Sequence, residues 1–327
     1  MLTISIFYDG VSKSLPSLHD ALRDSEQHTG ATIWIDLESP TAEELRSVGS
    51  EMHLHPLVIS AFEKSGFRSP RYDFLGDQSL LEIQTYHRRG AITPADFAGF
   101  RVLLAPNFIA THHLQPINAL KQALASCEAA GKVEQITPFW IASLILGAVA
   151  EGLIVATEDL EEQVGEIENA LLANPNKLVV KDVLNMRRTG VKLRRLLVLQ
   201  RDAIQQMASV SNPVLKDHDR VLIQDVLNRL THAEGLSDSV ILVNESALNS
   251  YLAVVNNRLN DVMKVLTVVG TVFLPLTFLT SLYGTNFVPL PGAHSRLGFW
   301  ILVSIIGLLT ILMVGYFYRL GWFRSEK

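Results

Sequence analysis

The chain has 327 residues, of which 48% are hydrophobic and 19% charged, and its formal net charge is −5. This length suffices for a soluble domain with a sizeable core and for further elements. Residues 258–327 carry six basic and two acidic side chains, a balance of +4, which leaves −9 for residues 1–257. Such an acidic first part argues against nucleic acid as a partner. The single cysteine, Cys127, excludes intramolecular disulfides and cysteine-cluster metal sites.

Residues 1–133 are predicted to form a mixed α/β domain. Apolar alternation and flanking turn residues predict strands at 4–8, 32–37, 80–87, 100–104 and 107–111. Thr41 is predicted to cap a helix whose first turn contains Glu43 and Glu44. Residues 114–129 are predicted to form another helix.

Residues 134–257 are predicted to be helical. The segment 139–172 has a helical period and an acidic face, and the segment 178–208 is rich in Arg and Lys. The breaker NPN at 174–176 separates them, so we expect an antiparallel pair held partly by surface charge, each ion pair contributing less than about 1 kcal/mol. We interpret these charges as solvated faces rather than as binding sites.

One very long helix is predicted over residues 215–282, because no proline interrupts residues 214–274. At 1.5 Å per residue it would be on the order of 100 Å long. Such a helix does not fit inside one globular domain. We therefore expect it to leave the soluble part as a stalk and to become a membrane span.

Two apolar segments, 265–282 and 298–318, are each long enough to cross a bilayer core of about 30 Å as a helix. Two such segments in tandem predict a membrane hairpin rather than a buried core helix. Basic residues flank its outer ends, so the positive-inside rule places both termini in the cytoplasm and the loop 287–297 outside. Residues 1–10 lack the features of a signal peptide, and we expect none.

A line of small and polar residues runs along the first span in steps of three and four. Its members are Asn260, Met263, Thr267, Gly270, Leu274, Thr277, Ser281 and Gly284. A hydroxyl or amide facing lipid is unfavourable, so the line is expected to face protein or water. The pattern fits close helix–helix packing. It equally fits a pore lined by several copies of the helix, with Met263 and Leu274 as apolar constrictions.

Several motifs together resemble the CorA family of divalent-cation channels. WIDL at 34–37 with PTAEEL at 40–45 is similar to an early strand–helix pattern of that family. MKVLT at 263–267 and LPLT at 274–277 are similar to its first-span pattern, and YGTNF at 283–287 resembles the Tyr-Gly-Met-Asn-Phe signature that ends this span. The architectural resemblance covers nearly the whole chain.

The resemblance implies an α/β cytosolic domain, a helical stalk and two C-terminal transmembrane helices, assembled as a funnel-shaped homopentamer in the bacterial inner membrane. The pore-lining span and its signature would occupy residues 258–286, the second span 298–318 and a basic cytosolic tail 319–327. The expected partners are copies of the chain, lipid and metal ions. The expected cargo is a divalent cation, with no covalently bound cofactor.

The resemblance also implies the roles of individual residues. Gly284, Thr285 and Asn286 would form the external mouth, and Asn260 would form a second polar ring at the inner end. Because Mg²⁺ sheds water reluctantly, neutral amide oxygens would hold the hydrated ion through its waters. Asp225 is the candidate for a cytosolic regulatory metal ligand, although an Asp on a long helix is more often simply solvated.

Two departures from the family pattern leave the ion open. Thr285 replaces the usual Met, and the loop 287–299 contains no acidic residue. The zinc-transporting branch shares these tendencies, so the cargo is Mg²⁺ (with Co²⁺ or Ni²⁺) or Zn²⁺, carried passively or with protons. The alternative is a membrane-anchored divalent-cation sensor of the same fold that does not conduct.

Two histidine pairs, His53 with His55 and His112 with His113, lack a third metal ligand at typical spacing and are interpreted as surface or loop residues. The sequence contains no P-loop, no GxSxG and no dinucleotide fingerprint. We therefore expect that the chain is not an enzyme.

Overall fold

The computed structural model describes residues 1–64, 66–67, 69–86, 96–130, 136–173, 180–209, 217–285, 292 and 295–322. Within them the chain forms seven strands, β1 Leu2–Tyr8, β2 Val11–Leu15, β3 Thr32–Glu38, β4 Arg71–Leu75, β5 Gln78–Tyr86, β6 Phe97–Leu104 and β7 Phe108–His113. The described helices are α1 Leu18–Gln27, α2 Ala42–Glu51, α3 Pro56–Phe62, α4 Asn118–Ala129, α5 Pro138–Ala173, α6 Val180–Ala208, α7 Asp217–Tyr283 and α8 Arg296–Arg319. The chain divides into two compact units, Met1–Leu248 and Asn249–Lys327.

The described strands form one mixed sheet in the order β2-β1-β3-β7-β6-β5-β4. β3 and β7 pair in parallel, and the other neighbours are antiparallel. The five predicted strands are confirmed as β1, β3, β5, β6 and β7. The edge strands β2 and β4 are not predicted, because neither has a regular apolar face. β2 is largely exposed and β4 is exposed or partly buried along its length.

Side chains that alternate along the strands enter two separate cores. On one face, Ile33, Ile35 and Leu103 pack with α1, α2 and α3. On the other face, Trp34 and Phe100 join a core that includes buried residues of α4, α5, α6 and α7. The period of two in a strand therefore places the sheet between two helical layers.

The start of α2 confirms the predicted cap. The Thr41 hydroxyl accepts a hydrogen bond from the Glu44 amide at 3.2 Å, and the Glu44 carboxylate accepts one from the Thr41 amide at 2.7 Å. This reciprocal capping box satisfies two amides that the helix itself leaves unpaired. The hydrogen bond from the Thr41 backbone also lowers the pKa of Glu44.

Three of the described helices are long and apolar enough to cross a membrane, and burial separates them. In the most apolar 18-residue stretch of each helix, 56% is buried in α5, 6% in α7 and 0% in α8. α5 contributes Ile141, Ile145 and Leu153 to the core beside the sheet. Its hydropathy therefore reflects a core helix, whereas the apolar windows of α7 and α8 lack a protein cover within one chain.

Three basic residues of α6 make ion pairs with α7. The pairs are Arg187–Glu245 at 3.0 Å, Arg201–Glu234 at 2.7 Å, and Arg194–Asp238. The three arginines are seven residues apart, so they lie on one side of α6, along α7. The prediction that surface charge partly holds α5 to α6 is therefore wrong for the described residues: no ion pair joins the two helices there, and they share apolar core residues such as Leu160 and Leu197.

Candidate ion pathway along α7

Within the unit Asn249–Lys327, the less exposed positions of each apolar helix lie mainly on one side of that helix. The partly or fully buried positions of α8 are Gly298, Leu302, Ile306, Leu309, Thr310, Met313 and Phe317. Those of α7 include Val268, Val272, Leu276 and Leu279. Both sets recur in steps of three and four, which places each on one side of its helix. These sides are the less exposed ones, and close approaches between α7 and α8 are few.

The predicted line of small and polar residues lies on the other side of α7. At about 100° per residue, the line from Met263 to Ser281 is turned away from the Val272 side. Met263 is 56% exposed and Leu274 72% exposed, and Asn260, Thr267, Thr277 and Ser281 are exposed as well, whereas Gly270 is partly buried. The line therefore lies on the more exposed side of α7.

The threonine hydroxyls of this line donate hydrogen bonds to backbone carbonyls of α7 itself. Thr267 donates to the Met263 carbonyl at 2.7 Å, and Thr277 donates to the Phe273 carbonyl at 2.8 Å. A hydroxyl has one proton and two lone pairs, so what remains available on the outer side is an acceptor. The exposed line therefore offers oxygen atoms that suit a cation or the protons of its water shell.

The described end of α7 contains two of the three predicted mouth residues. The Gly284 amide donates to the Thr280 carbonyl at 2.9 Å and so completes the last helical turn. The Thr285 hydroxyl donates to the Leu282 carbonyl at 2.7 Å, so Thr285 also presents only acceptor oxygen. Asn286 lies outside the described residues, and its role at the mouth stays a prediction.

The inner end of the line borders a wide polar recess of about 840 Å³. The recess is lined by Asn257, Asn260, Asp261, Met263, Lys264, Thr267, Leu320, Gly321 and Trp322. Lys264 and Asp261 pair with each other at 3.1 Å, which balances their charges. Asn260 therefore lies among amides and a neutralised ion pair, as a neutral polar ring at this level would require.

Asp225 is already paired inside the chain. Its Oδ2 lies 2.9 Å from Nε of Arg229, whose Nη1 also lies 3.3 Å from Glu151. Among the residues that the structure describes, no group of three or more His, Cys, Asp or Glu side chains is arranged to hold a metal. The regulatory role of Asp225 stays a prediction.

The two histidine pairs have different surroundings. His53 is exposed in a turn with φ +49°, and His55 caps α3 by accepting a hydrogen bond from the Leu57 amide at 3.2 Å. The expectation of surface positions is wrong for His112 and His113, which are buried in β7. Burial, assisted by the neighbouring Arg101 charge, lowers the pKa of His112 to about 4.

The comparisons with known proteins agree with this architecture. Residues 29–319 match the family described as CorA-like Mg²⁺ transporter protein, and the chain therefore belongs to this family. The expectation that it is not an enzyme agrees with that membership, because the family consists of ion transporters. The resemblance that the motifs suggested is thereby confirmed, although the Gly-Thr-Asn triplet itself is not tested by it.

Individual relatives cover most of the chain. It is 26% identical to the cobalt/magnesium transport protein CorA of Methanocaldococcus jannaschii, over 89% of this chain and 91% of that protein. It is 25% identical to the zinc transport protein ZntB of Pectobacterium atrosepticum, over 86% of this chain and 84% of that protein. The solved structure of the complete CorA magnesium transporter from M. jannaschii shares the fold, with a TM-score of 0.81, 23% identity and 98% of both chains covered.

Proposed function

We propose that the chain is one subunit of a homopentameric divalent-cation transporter of the bacterial inner membrane, with the polar line of α7 around a central pathway. The observation that carries the proposal is the position of that line. It is largely exposed, it lies away from the less exposed side of α7, and its threonine hydroxyls offer only acceptor oxygen. One helical hairpin cannot enclose a pathway, whereas cyclic symmetry closes identical surfaces into a ring.

The spans of the proposal are residues 258–286 and 298–318. Phe299 and Trp300 lie at one end of α8, and Tyr316 and Tyr318 lie at the other. The two groups are about 28 Å apart at 1.5 Å per residue, close to the thickness of a bilayer core. Aromatic side chains at both ends of an uncovered apolar helix are typical of membrane interfaces.

In this assembly residues 287–297 form the external loop and residues 319–327 the cytosolic tail. The line would contain apolar constrictions at Met263 and Leu274, which are able to close by losing water. Asn286 would receive the hydrated ion at the outer mouth, and Asn260 would receive it at the inner end. An inside-negative potential would drive entry by about 2.3 kcal/mol per elementary charge for each 100 mV.

The cargo is a divalent cation held through its water shell. Relatives are named for cobalt and magnesium transport and for zinc transport, which supports transport over the non-conducting sensor. Neutral amides and hydroxyls with no carboxylate fit a fully hydrated ion, because no strong ligand competes for its inner shell. Mg²⁺, Co²⁺, Ni²⁺ and Zn²⁺ are the ions to compare.

The test is flux through purified full-length protein in liposomes, with the ion varied and with or without a pH gradient. We expect uptake of at least one divalent ion that follows the membrane potential. The mass of the same preparation in detergent should equal five chains. Absence of flux for every ion of the panel in a five-chain preparation would refute transport.

A further inference from the structure

The helices α5 and α6 carry opposite charges that the chain does not pair with each other. On α5, the exposed acids other than Glu151, which pairs with Arg229, are Glu158, Glu161, Glu162 and Glu166. On α6, the exposed bases beyond those already paired and beyond Lys181 at the start of the helix are Arg188, Lys192 and Arg195. In the part of the chain that the structure describes, none of these seven side chains makes an ion pair or a side-chain hydrogen bond.

The helical period explains why the bases remain unpaired. Arg187, Arg194 and Arg201 lie on the side of α6 that faces α7 and are neutralised there. Arg188 and Arg195 are also seven residues apart, but they are turned about 100° further around the helix. They form a second basic line on α6. We call Arg188, Lys192 and Arg195 together the basic face.

The acids of α5 lie opposite its core side. Leu153, Leu160 and Val164 are buried in the core that α5 shares with α6. Glu158 and Glu162 are one helical turn apart on the outer side, and with Glu161 and Glu166 they form what we call the acidic face. Because each face points away from the shared core, the two faces cannot meet within one chain.

A partly apolar groove lies beside the basic face. It has a volume of about 490 Å³ and is lined by Val191, Arg194, Arg195, Val198, Leu199, Asp238 and Ile241. Val191 is 50% exposed on this surface. An apolar floor with an arginine rim suits a helix that carries carboxylates beside aliphatic side chains. α5 has this composition, because Ile154 and Val155 lie close to Glu158 on the partly exposed surface.

We propose that the acidic face of α5 in one subunit docks on the basic face and groove of α6 in the next subunit. A cyclic ring requires two different complementary surfaces on each chain, and this pair supplies them. The proposal rests on the cyclic assembly of the proposed function. It names one contact between neighbouring subunits of that ring. Each exposed pair contributes little alone, so the contact depends on several pairs together and weakens with salt.

Charge reversal on each face separately, and then on both, tests the contact. The acidic-face variant is Glu158→Lys with Glu162→Lys, and the basic-face variant is Arg188→Glu with Arg195→Glu. The measurement is the mass of the full-length protein in detergent during dilution. We expect each variant to raise at least tenfold the concentration at which half of the oligomer has dissociated. The four-residue swap should restore assembly, because the exchanged charges are complementary again.

Controls separate a specific contact from a general effect of charge. Arg23→Glu and Glu26→Lys change exposed residues of α1 and should leave the mass unchanged. Thermal unfolding of each variant shows that the chain still folds. Raising the ionic strength from about 0.1 M to about 1 M shortens the Debye length from about 10 Å to about 3 Å and should weaken the wild-type oligomer but not abolish it.

The outcomes distinguish this contact from the transport proposal. A wild-type protein that is monomeric and does not conduct would refute the proposed function itself. If the wild type assembles and conducts while both single-face variants assemble equally well, only the α5–α6 contact is refuted. A swap that fails to restore assembly also overturns it. The contact is also overturned if the basic-face variant loses binding to anionic vesicles while the mass of its oligomer is unchanged, because that face would then bind lipid.

Discussion

The Nε2 atom of His113 lies 3.1 Å from Oδ1 of Asp36, and its Nδ1 atom lies 2.7 Å from the Gln115 carbonyl oxygen. Both neighbours are hydrogen-bond acceptors, so both ring nitrogens donate when the imidazole is protonated. Burial alone lowers the pKa of His113, but the hydrogen bond and charge of Asp36 and the Gln115 carbonyl outweigh it, and the pKa is raised. When protonated, this buried imidazole ties the end of β7 to β3.

The raised pKa of His113 predicts a loss of stability on the alkaline side. A group whose pKa is higher in the folded state stabilises fully below its unfolded pKa, about 6.5, and loses this contribution as pH rises through the folded value. Thermal unfolding of the full-length protein from pH 6 upward should show a decline in midpoint that His113→Gln reduces. An identical decline in this variant would contradict the assignment.

His112 predicts the opposite dependence on the acidic side. Its folded pKa of about 4 lies below the unfolded value, so the unfolded chain binds a proton first as pH falls from about 6.5 to 4. The wild type should lose on the order of 3 kcal/mol of stability over this range from this residue. His112→Gln should remove that part of the acid sensitivity in denaturant titrations. Undiminished acid sensitivity in the variant would exclude His112 as its source.

Glu82 should be more important to stability than its exposed neighbour. Its Oε1 lies 3.1 Å from Nε of Arg101, and both side chains are almost fully buried. Glu82→Ala would leave the Arg101 guanidinium without a carboxylate in the core, at a cost of about 3 kcal/mol in free energy of unfolding. Arg71 pairs with the same carboxylate at 3.2 Å but is half exposed, so Arg71→Ala should cost less than about 1 kcal/mol. Equal costs for both changes would contradict this account.

Local signals account for what the sequence could predict. Thr41 and Glu44 are three residues apart, and α7 follows from a long interval without proline, so both features are visible in order along the chain. The partners of His113 and Arg194 cannot be predicted in this way, because Asp36 and Asp238 come from distant segments of the chain. Apolarity alone could not separate buried α5 from uncovered α8 either, since burial depends on which neighbour a helix meets.

Thr277 should affect transport through its hydroxyl oxygen rather than through its shape. Thr277→Val keeps the volume but removes the acceptor that the line offers to a hydrated ion. We expect flux in liposomes to fall roughly tenfold, equivalent to about 1.4 kcal/mol. Thr280→Val is the matched control, because Thr280 makes the same kind of bond to the Leu276 carbonyl, at 3.0 Å, on another side of α7. Equal losses in the two variants would remove the polar line from the pathway.

Asn286 should be required for uptake but not for assembly. It follows directly after Thr285, whose hydroxyl is turned back onto the helix, so the amide of Asn286 is the first side chain of the triplet with both donor and acceptor capacity. In Asn286→Ala we expect flux of the transported ion to fall at least a hundredfold while the mass in detergent stays that of the wild type. Asn228→Ala, which removes an exposed amide of α7, should conduct normally. An undiminished rate in Asn286→Ala would exclude this residue from ion selection. A collapsed oligomer would instead give it a structural role in the assembly.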